Sequence, residues 1–378
     1  MKIIHFSDTH LGFNDLDILN DENINQREAD FYDAFSQVVK QIKKSKPDYI
    51  IHTGDLFHRA SPSNRAITFA LEQFKEINSL KIPFIIIAGN HSTPRTSLAS
   101  PIMKIFDNFE NIYTSYNQEY KKIAFKDVVF HTLPHMNDET KAVEHIESCG
   151  ANIDTDKKNI MMMHCSVGAH FLMQEFGEWV YPKDKEYIFE KMDYVALGHW
   201  HGFGQVGKHK NVFYSGSTER TSLNDKRNSK GYAELILGDK QSLFDPLEIE
   251  YKEINIRPII TKTIDALEYE TSINNLDLED ITEAIVEVKI INLTPLHSIE
   301  IQNIDIIKLF EGAMSVSVKR EFIKTDGTDD SDEIEVFNLK DYFLKHIKED
   351  ANDKEYSRLQ TKVEELFSEY EEKYNDTH

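Results

Sequence analysis

The chain has 378 residues, 40% of them hydrophobic and 29% charged, which allows one large domain with appendages or two to three smaller ones. A mean hydropathy of −0.49, with no apolar run approaching about 20 residues, excludes a membrane-spanning protein. The 43 basic and 65 acidic side chains give a net charge of −22, which excludes binding to nucleic acid through a broad basic surface.

The cysteine count and the charge distribution add two further limits. Only Cys149 and Cys165 are present, so a disulfide framework is excluded and a reducing cytoplasm is expected. Residues 1–250 carry a net −7 and residues 251–378 a net −15. The excess acid is therefore concentrated in the last third of the chain.

The first 250 residues alternate short apolar runs with segments of helical periodicity, as is typical of a layered α/β domain. The predicted strands are Lys2–Phe6, Tyr49–His52, Phe84–Ala88, Val128–Thr132, Ile160–Met163, Tyr194–Leu197 and Val212–Ser215. Helices are predicted at Arg27–Lys44 and Asn64–Leu80, each with its apolar residues on one face. This succession of strand, helix and strand predicts parallel pairing through right-handed crossovers.

The pattern changes after residue 255, so we assign the α/β domain to residues 1–255. A small separate α+β domain is predicted at 256–324. Its elements are strands at Ile259–Ile264, Ala284–Ile291 and Met314–Arg320, and a helix at Ile299–Phe310.

A polar, acidic stretch at 325–336 predicts a flexible linker. Residues 337–378 then hold two predicted helices, Leu339–Lys348 and Lys354–Tyr374. The second helix has an apolar stripe on an otherwise charged surface, formed by Tyr356, Leu359, Val363, Leu366 and Tyr370. Such a helix is not expected to be stable alone, and periodicity does not decide whether it packs on its own domain or on a partner.

Five short polar motifs each follow a predicted strand. They are Asp8-Thr9-His10, Gly54-Asp55, Gly89-Asn90-His91, His164 and Gly198-His199-Trp200-His201. Ligands bind at the carboxyl ends of the strands in open α/β sheets, so these residues are expected to converge. Each motif alone is a weak signal, but five in order at strand ends indicate one site.

The residue types in these motifs suit divalent metal ions. Imidazole, carboxylate and amide oxygen together favour Mn²⁺, Fe²⁺ or Zn²⁺ and require no thiolate. Two ions about 3.5–4 Å apart can stabilise both the attacking and the leaving oxygen of a phosphoryl centre. Asp55, alone on its own turn, is the candidate for the carboxylate that bridges two ions.

The ordered motifs resemble those of the calcineurin-like metallophosphoesterases, over roughly residues 1–250. The resemblance implies a β-sandwich flanked by helices, with two divalent ions, Mn²⁺ first and Fe²⁺, Zn²⁺ or Mg²⁺ as alternatives. It implies one ion held by Asp8, His10, Asp55 and His201, and the other by Asp55, Asn90, His164 and His199. His91 would lie near the scissile phosphate and protonate the leaving oxygen.

The residue after His91 departs from the family pattern. The family usually has an acidic residue there, which orients the histidine and stabilises its protonated form, and this chain has Ser92. A hydroxyl can orient an imidazole but does not stabilise imidazolium as a carboxylate does. What orients His91 is therefore open at this stage.

Two longer segments are similar to those of the SbcD group of DNA double-strand-break nucleases: residues 3–12, and the run His52-Thr-Gly-Asp-Leu-Phe-His58. His58 would then help to place the substrate, with a surface-loop histidine as the alternative. Residues 214–220, Tyr-Ser-Gly-Ser-Thr-Glu-Arg, also resemble that group. Residues 201–230 carry a local +4, and the predicted phosphate contacts there are Arg220, Lys226 and Arg227, unless the loop is simply a solvated basic one.

The domain order supports the same resemblance. In the SbcD group a capping domain, a linker and a helical hairpin follow the phosphoesterase domain, and the hairpin binds an SMC-like ATPase, SbcC. The implied ATPase contacts here are Leu359, Val363, Leu366 and Tyr370. A homodimer, DNA as the other partner, and a cytoplasmic, nucleoid-associated location are implied as well.

The expected function is a two-metal DNA nuclease, a 3′→5′ exonuclease and single-strand endonuclease that acts in double-strand-break repair. One alternative is a phosphatase or cyclic-nucleotide phosphodiesterase of the same superfamily, which would need neither capping domain nor helical tail. The other is a metal-containing subunit that tethers DNA with little or no activity, for which Ser92 leaves room.

Overall fold

The fold is described from a computed structural model of the chain. The structure describes residues 1–94, 100–168, 179–222, 225, 229–238, 247–323, 356, 359, 360, 362, 363 and 366. The chain divides into two compact units, Met1–Glu321 and Phe322–His378. Among the described residues, no helix combines the length and the apolar character that a bilayer crossing needs.

Two six-stranded sheets carry most of the first unit. Their strands are β1 Lys2–Phe6, β2 Tyr49–His52, β3 Phe84–Ile87, β4 Ile112–Ser115, β5 Lys121–Ala124, β6 Val128–Leu133, β7 Lys158–His164, β8 Tyr194–Gly198, β9 Gly204–Gln205, β10 Val212–Tyr214, β11 Gly231–Leu237 and β12 Leu247–Glu253. The strand orders are β12-β11-β1-β2-β3-β4 and β5-β6-β7-β8-β10-β9. Strands β1 to β4 are parallel, as are β6, β7, β8 and β10, and antiparallel strands lie outside them.

All seven predicted strands of this region are present, with ends shifted by at most two residues. The strands that the sequence did not predict are β4, β5, β9, β11 and β12. Four of them, β4, β5, β9 and β12, are the outermost strands of the two sheets. Outer strands are short or partly exposed, so their apolar signal is weak.

Three α-helices belong to the same region: α1 Gln26–Ser45, α2 Asn64–Ser79 and α3 Glu139–Ala151. Two 3₁₀ helices, Ile102–Phe106 and Lys183–Lys191, accompany them. Helix α1 begins after Asn25, whose side chain accepts hydrogen bonds from the second and third following backbone N–H groups. Helix α2 begins after Ser63, which caps Ala66 N in the same way. Both helices were predicted from the sequence, while α3 was not.

The apolar side chains form successive layers. Ile3 and Ile51 lie between the two sheets and share a cluster with Phe130 of the second sheet. Their neighbours Ile4 and Ile50 face α1 and α2 on the outer side of the first sheet. Because each inner strand is buried on both faces, it appears in the sequence as a continuous apolar run. The predicted β-sandwich flanked by helices is confirmed.

A third sheet follows, with strands β13 Ile259–Asp265, β14 Ile285–Leu293 and β15 Ser315–Phe322 in that order. Three short helices accompany it: α4 Tyr269–Asn274, α5 Pro295–Glu300 and α6 Asn303–Lys308. Ile264, Val288 and Phe310 belong to its own hydrophobic cluster. This sheet lies within the range predicted as an α+β domain, although the boundaries at 255, 324 and 336 stay predictions.

The predicted helix Ile299–Phe310 is wrong, because α5 and α6 replace it and an extended residue, Ile301, lies between them. Ile301 is buried in the hydrophobic cluster of this sheet. The guanidinium of Arg320 donates to the carbonyl oxygens of Ser298 and Ile301 and so satisfies the interrupted backbone. The interruption thus depends on a contact from β15 that helical periodicity does not report.

In the second unit the described residues 356, 359, 360, 362, 363 and 366 are helical. Leu359 and Leu366 are exposed, at 43% and 55%. The acidic linker at 325–336, the helix Leu339–Lys348 and Tyr370 lie outside the described residues.

Candidate metal centre

The seven predicted metal ligands converge at the carboxyl ends of parallel strands from both sheets. Asp8 and His10 follow β1, Asp55 follows β2, and Asn90 follows β3. His164 ends β7 and pairs in register with Gly198, the last residue of β8, after which come His199 and His201. The strand-end prediction is correct because parallel strands bring their carboxyl ends to one rim.

The first ligand group is Asp8, His10 and His201. The Nε2 atoms of the two imidazoles lie 3.1 Å apart, so both rings point at the same place. His201 Nε2 is 4.0 Å from Asp8 Oδ1. One donor atom from each residue fits within 4.8 Å of the others, which suits a single cation.

The second group is Asp55, His164 and Asn90. His164 Nε2 lies 3.1 Å from Asp55 Oδ2 and 2.9 Å from Asn90 Oδ1. Asp8 also lies close enough to Asp55 and His164 to share a cation with them, so Asp8 belongs to both groups. His199 contributes its backbone N–H to the Asp8 carboxylate at 3.1 and 3.2 Å, and its ring centroid is 5.2 Å from that of His164. Asp55 as the bridging carboxylate stays a prediction.

The backbone at the site is held in conformations that residues other than glycine rarely adopt. Asp8, His10, Asp55 and His199 have φ of 51°, 41°, 53° and 95°. Left-handed residues of this kind cost roughly 1–3 kcal/mol each and persist where the surroundings enforce them. Four strained ligands in one site favour a built cation site over a chance cluster.

Glycine is required beside these ligands because there is no space for a Cβ. A Cβ at Gly54 would overlap the His164 imidazole, and one at Gly89 would overlap the Asp55 carboxylate. The close approach of backbone to ligand side chain explains why these motifs contain glycine. Together with the donor set and the strained backbone, it shows that the residues present fit a pair of divalent ions.

The electrostatics of the site couple Asp55 to His164. Burial alone would raise the pKa of Asp55, but the imidazoles of His164, His91 and His10 hold it well below its usual range. Burial would likewise lower the pKa of His164, but the Asp55 carboxylate outweighs it and raises that pKa to about 9. A divalent cation would compete with this proton for the same Nε2, so binding is expected to release protons.

His91 is oriented by the backbone. Its Nδ1–H donates to the carbonyl oxygen of His58 at 2.7 Å, which leaves Nε2 for a substrate. Its backbone N–H donates to Asp55 Oδ1 at 2.9 Å. The Ser92 hydroxyl is buried and has no hydrogen-bond partner among the described residues. The residue that replaces the usual acid is therefore not what orients His91 here.

His58, predicted as an auxiliary residue, lies beside His91 and His10. Its ring is stacked on that of His91 at a centroid distance of 5.2 Å, and the His10 ring is 5.5 Å away. Burial, together with the neighbouring His91 and Arg59, lowers the pKa of His58 to about 4. His58 is thus a neutral imidazole within the site, which argues against the surface-loop alternative.

Several residues that sequence reasoning missed support the ligands from behind. His164 Nδ1 donates to the carbonyl oxygen of Thr53 at 2.7 Å. The Thr53 hydroxyl contacts His5 Nε2 at 2.9 Å, and His5 Nδ1 contacts the Tyr194 hydroxyl at 2.9 Å. Burial lowers the pKa of His5 to about 3. The only sequence signal for this chain of contacts was a histidine within the apolar run of β1.

The predicted phosphate contacts can be followed only at Arg220. Its guanidinium is half-buried and donates to the carbonyl oxygens of Asp225 and Arg257 at 3.3 and 3.1 Å. Lys226 and Arg227 lie outside the described residues. Contact with DNA at these three residues stays a prediction.

Comparison with known proteins defines the class. The family described as calcineurin-like phosphoesterase matches residues 1–203, a span that contains all seven predicted ligands. The chain belongs to this family and is a metal-dependent hydrolase of phosphoesters.

Within that class the chain is similar to proteins named DNA double-strand break repair protein Mre11. The relative from Methanococcus maripaludis is 28% identical over 269 residues, which cover 68% of each chain. The relative from Methanocaldococcus jannaschii is 28% identical over 295 residues, 73% of each chain. The relative from Thermoplasma acidophilum is 30% identical over 234 residues, which are 59% of this chain and 57% of the relative. The resemblance to double-strand-break nucleases is thereby confirmed as a sequence similarity.

Proposed function

We propose that this protein is a two-metal DNA nuclease that acts in double-strand-break repair. The observation that carries the proposal is a cluster of carboxylates and imidazoles beside His91 that could hold metal ions, in a chain similar to repair proteins named Mre11 over about two thirds of its length. The expected activities are 3′→5′ exonuclease and single-strand endonuclease, with Mn²⁺ as the preferred ion.

In this proposal Asp8, His10, Asp55 and His201 hold one ion, and Asp55, Asn90, His164 and His199 hold the other. When bound, the two ions neutralise charge on the phosphoryl oxygens and make water a competent nucleophile at neutral pH. The Asp55 carboxylate is ionised as this requires, since the imidazoles of His164, His91 and His10 hold its pKa well below its usual range.

His91 supplies the proton for the leaving sugar oxygen. Its Nδ1–H is engaged by the His58 carbonyl, so only Nε2 is directed away from the protein backbone. The rings of His58 and His10 both contact that of His91, at centroid distances of 5.2 and 4.9 Å, and restrict where a phosphodiester can lie. Geometry of this kind fixes the proton donor relative to the phosphorus without a neighbouring acid.

The net charge of −22 requires that DNA be bound by more than bulk electrostatics. The local +4 of residues 201–230 adjoins the site, with Arg220, Lys226 and Arg227 as the proposed phosphate contacts. An SMC-like ATPase, bound through Leu359, Val363, Leu366 and Tyr370, would supply further DNA-binding surface. The exposure of Leu359 and Leu366 supports such a contact. A homodimer and a cytoplasmic, nucleoid-associated location complete the proposal.

The test is cleavage of end-labelled single- and double-stranded DNA with Mn²⁺, alone and with an SbcC-type ATPase. Wild type should degrade DNA, while Asp55→Ala should lose at least about 10³-fold in rate because the carboxylate proposed to hold both ions is gone. His145→Ala, a histidine on α3, serves as the matched control and should cleave normally. Hydrolysis of nitrophenyl phosphates without any DNA cleavage would show a phosphatase instead.

A further inference from the structure

Behind His201, on the side away from the first ligand group, lie two polar side chains. The imidazole Nδ1 is 3.0 Å from Thr221 Oγ1 and 3.6 Å from Asp225 Oδ2. The opposite nitrogen, Nε2, faces His10 and Asp8. One nitrogen of the ring is thus directed at the candidate cation and the other at a carboxylate.

Lys230 completes this arrangement. It is 1% exposed, and its Nζ donates to the carbonyl oxygen of His201 at 2.7 Å and lies 3.6 Å from Asp225 Oδ2. Burying an ammonium group costs several kcal/mol unless charged and polar partners surround it. Lys230 therefore binds the backbone of His201 and the carboxylate that faces its ring at the same time.

The Asp225 carboxylate lies near both the His201 imidazole and the Lys230 ammonium group. Its Oδ2 is buried, and among the described residues it lies at ion-pair distance from His201 and Lys230 without a shorter hydrogen bond. The hydrogen-bond partner of His201 Nδ1 is the Thr221 hydroxyl at 3.0 Å, and the buried Asp225 carboxylate lies just beyond hydrogen-bond distance of the same nitrogen. Its negative charge favours the tautomer with the proton on Nδ1, which leaves the Nε2 lone pair for a cation.

The His164 ring of the second group is supported differently. His164 Nδ1 donates to the neutral carbonyl of Thr53, whereas His201 faces a charged carboxylate. A carboxylate behind a metal-binding histidine fixes the tautomer and raises the basicity of the ligand nitrogen more than a carbonyl does. His201 and His164 thus differ in the charge of the group behind the ring.

We propose that Asp225, with Lys230 as its counter-ion, is a positioning residue that selectively strengthens the cation position of Asp8, His10 and His201. The inference rests on the two-metal site of the proposed function. It adds residues outside the ligand set and an asymmetry between the two positions. Lys230 neutralises the carboxylate and holds it at Nδ1, so Asp225 acts through His201 and not as a ligand itself.

The test is a titration of metal-free protein with Mn²⁺, in which binding is measured by calorimetry and by electron paramagnetic resonance. Wild type should bind two ions with different dissociation constants. In Asp225→Asn one constant should rise by about 10- to 100-fold while the other stays within about twofold. Asp156→Asn, an exposed aspartate before β7, is the matched control and should change neither. Thr221→Val, which removes only a hydroxyl, should have a smaller effect than Asp225→Asn.

Two results would overturn the inference: equal weakening of both constants in Asp225→Asn, or no change in either. Should Asp225→Asn fail to fold, Asp225→Glu, which retains the charge, is titrated in the same way. A change in one of the two Mn²⁺ dissociation constants is expected, and no change in either would contradict the inference. The readout does not involve DNA. Normal, unequal Mn²⁺ binding without DNA cleavage would refute the proposed nuclease and leave this inference standing, whereas a wild type that binds no Mn²⁺ would refute both.

Discussion

At the scale of single residues, His91 shows how a catalytic side chain can be held by the backbone. The His58 carbonyl accepts its Nδ1 proton, and the neighbouring Ser92 hydroxyl has no hydrogen bond to any described residue. Because a carbonyl is neutral, it orients the ring but stabilises imidazolium less than a carboxylate would. The proton donor is therefore set by geometry more than by charge.

This arrangement predicts that Ser92→Ala keeps kcat for DNA cleavage within about twofold, since no described contact is lost. His91→Ala should lower kcat by about 10²- to 10⁴-fold, the range for a lost general acid. Both values come from steady-state cleavage of an oligonucleotide with saturating DNA and saturating Mn²⁺. A loss in Ser92→Ala as large as in His91→Ala would mean that the hydroxyl orients the ring.

The glycines of the site lead to a second residue-scale prediction. Gly89→Ala should raise the Mn²⁺ dissociation constant by at least about tenfold, because its Cβ would overlap the Asp55 carboxylate and backbone N and displace a ligand. Gly204→Ala is the matched control, since a Cβ there meets nothing within 4 Å. Metal titration of both variants tests this, and unchanged binding in Gly89→Ala would contradict it.

At the scale of elements, a buried ionic cluster joins α1 to the chain on either side of β11 and β12. The Asp30 carboxylate on α1 accepts hydrogen bonds from Nε and Nη2 of Arg257, both at 2.8 Å, and from Nη1 of Arg27 at 2.7 Å. Arg27 also pairs with Glu219 at 3.3 Å, and Arg257 pairs with Glu283 beyond β13 at 3.1 Å. The cluster therefore connects the segment after His201, α1 and the third sheet.

Removing one partner of a buried ion pair leaves an uncompensated charge, which costs about 3–5 kcal/mol. Arg257→Ala leaves Asp30 paired with Arg27, so it should cost less than this, about 2 kcal/mol of the free energy of unfolding. Lys43→Ala, which breaks an exposed pair with Glu76, should cost no more than about 1 kcal/mol. Urea denaturation of the two variants and wild type provides the measurement. Equal, small losses in both would show that the cluster does not contribute to stability.

At the scale of the whole molecule, buried neutral histidines make stability depend on pH. Burial lowers the pKa of His5 and of His52 to about 3, and that of His135 to about 4. The unfolded chain takes up these protons near pH 6.5, whereas the folded chain does not. The contribution of these neutral histidines to the free energy of unfolding is thus complete above pH 6.5 and is lost as the pH falls towards 3. His164 acts in the opposite sense, but its contribution changes only between pH 6.5 and 9.

Metal-free protein should therefore lose stability below pH 6.5, by about 1.4 kcal/mol per pH unit for each buried histidine. Urea unfolding at pH 7, 6 and 5 measures the slope. His5→Gln should reduce this slope by the share of one histidine, about 1.4 kcal/mol per pH unit, even if the variant is less stable overall. A free energy of unfolding that stays constant from pH 7 to 5 would contradict the prediction.

The sequence by itself determined every inner strand except β11, helices α1 and α2, and the seven predicted ligands. Each of these leaves a local signal: a continuous apolar run, a one-sided helix, or a polar motif at a strand end. The wrong helix prediction has a tertiary cause. The helix at 299–310 is interrupted because Ile301 turns into a core and Arg320 satisfies the freed carbonyls. Neither contact is local in sequence.

Only the tertiary structure decided what orients the ligands. His91 is held by the carbonyl of residue 58 and His164 by that of residue 53, and a carbonyl belongs to every residue, so no pattern marks it. His201 is supported by Asp225 and Lys230, residues 24 and 29 positions further along the chain. Motif spacing encodes which atoms can bind a cation. The direction in which each ring points depends on chain segments that meet only after folding.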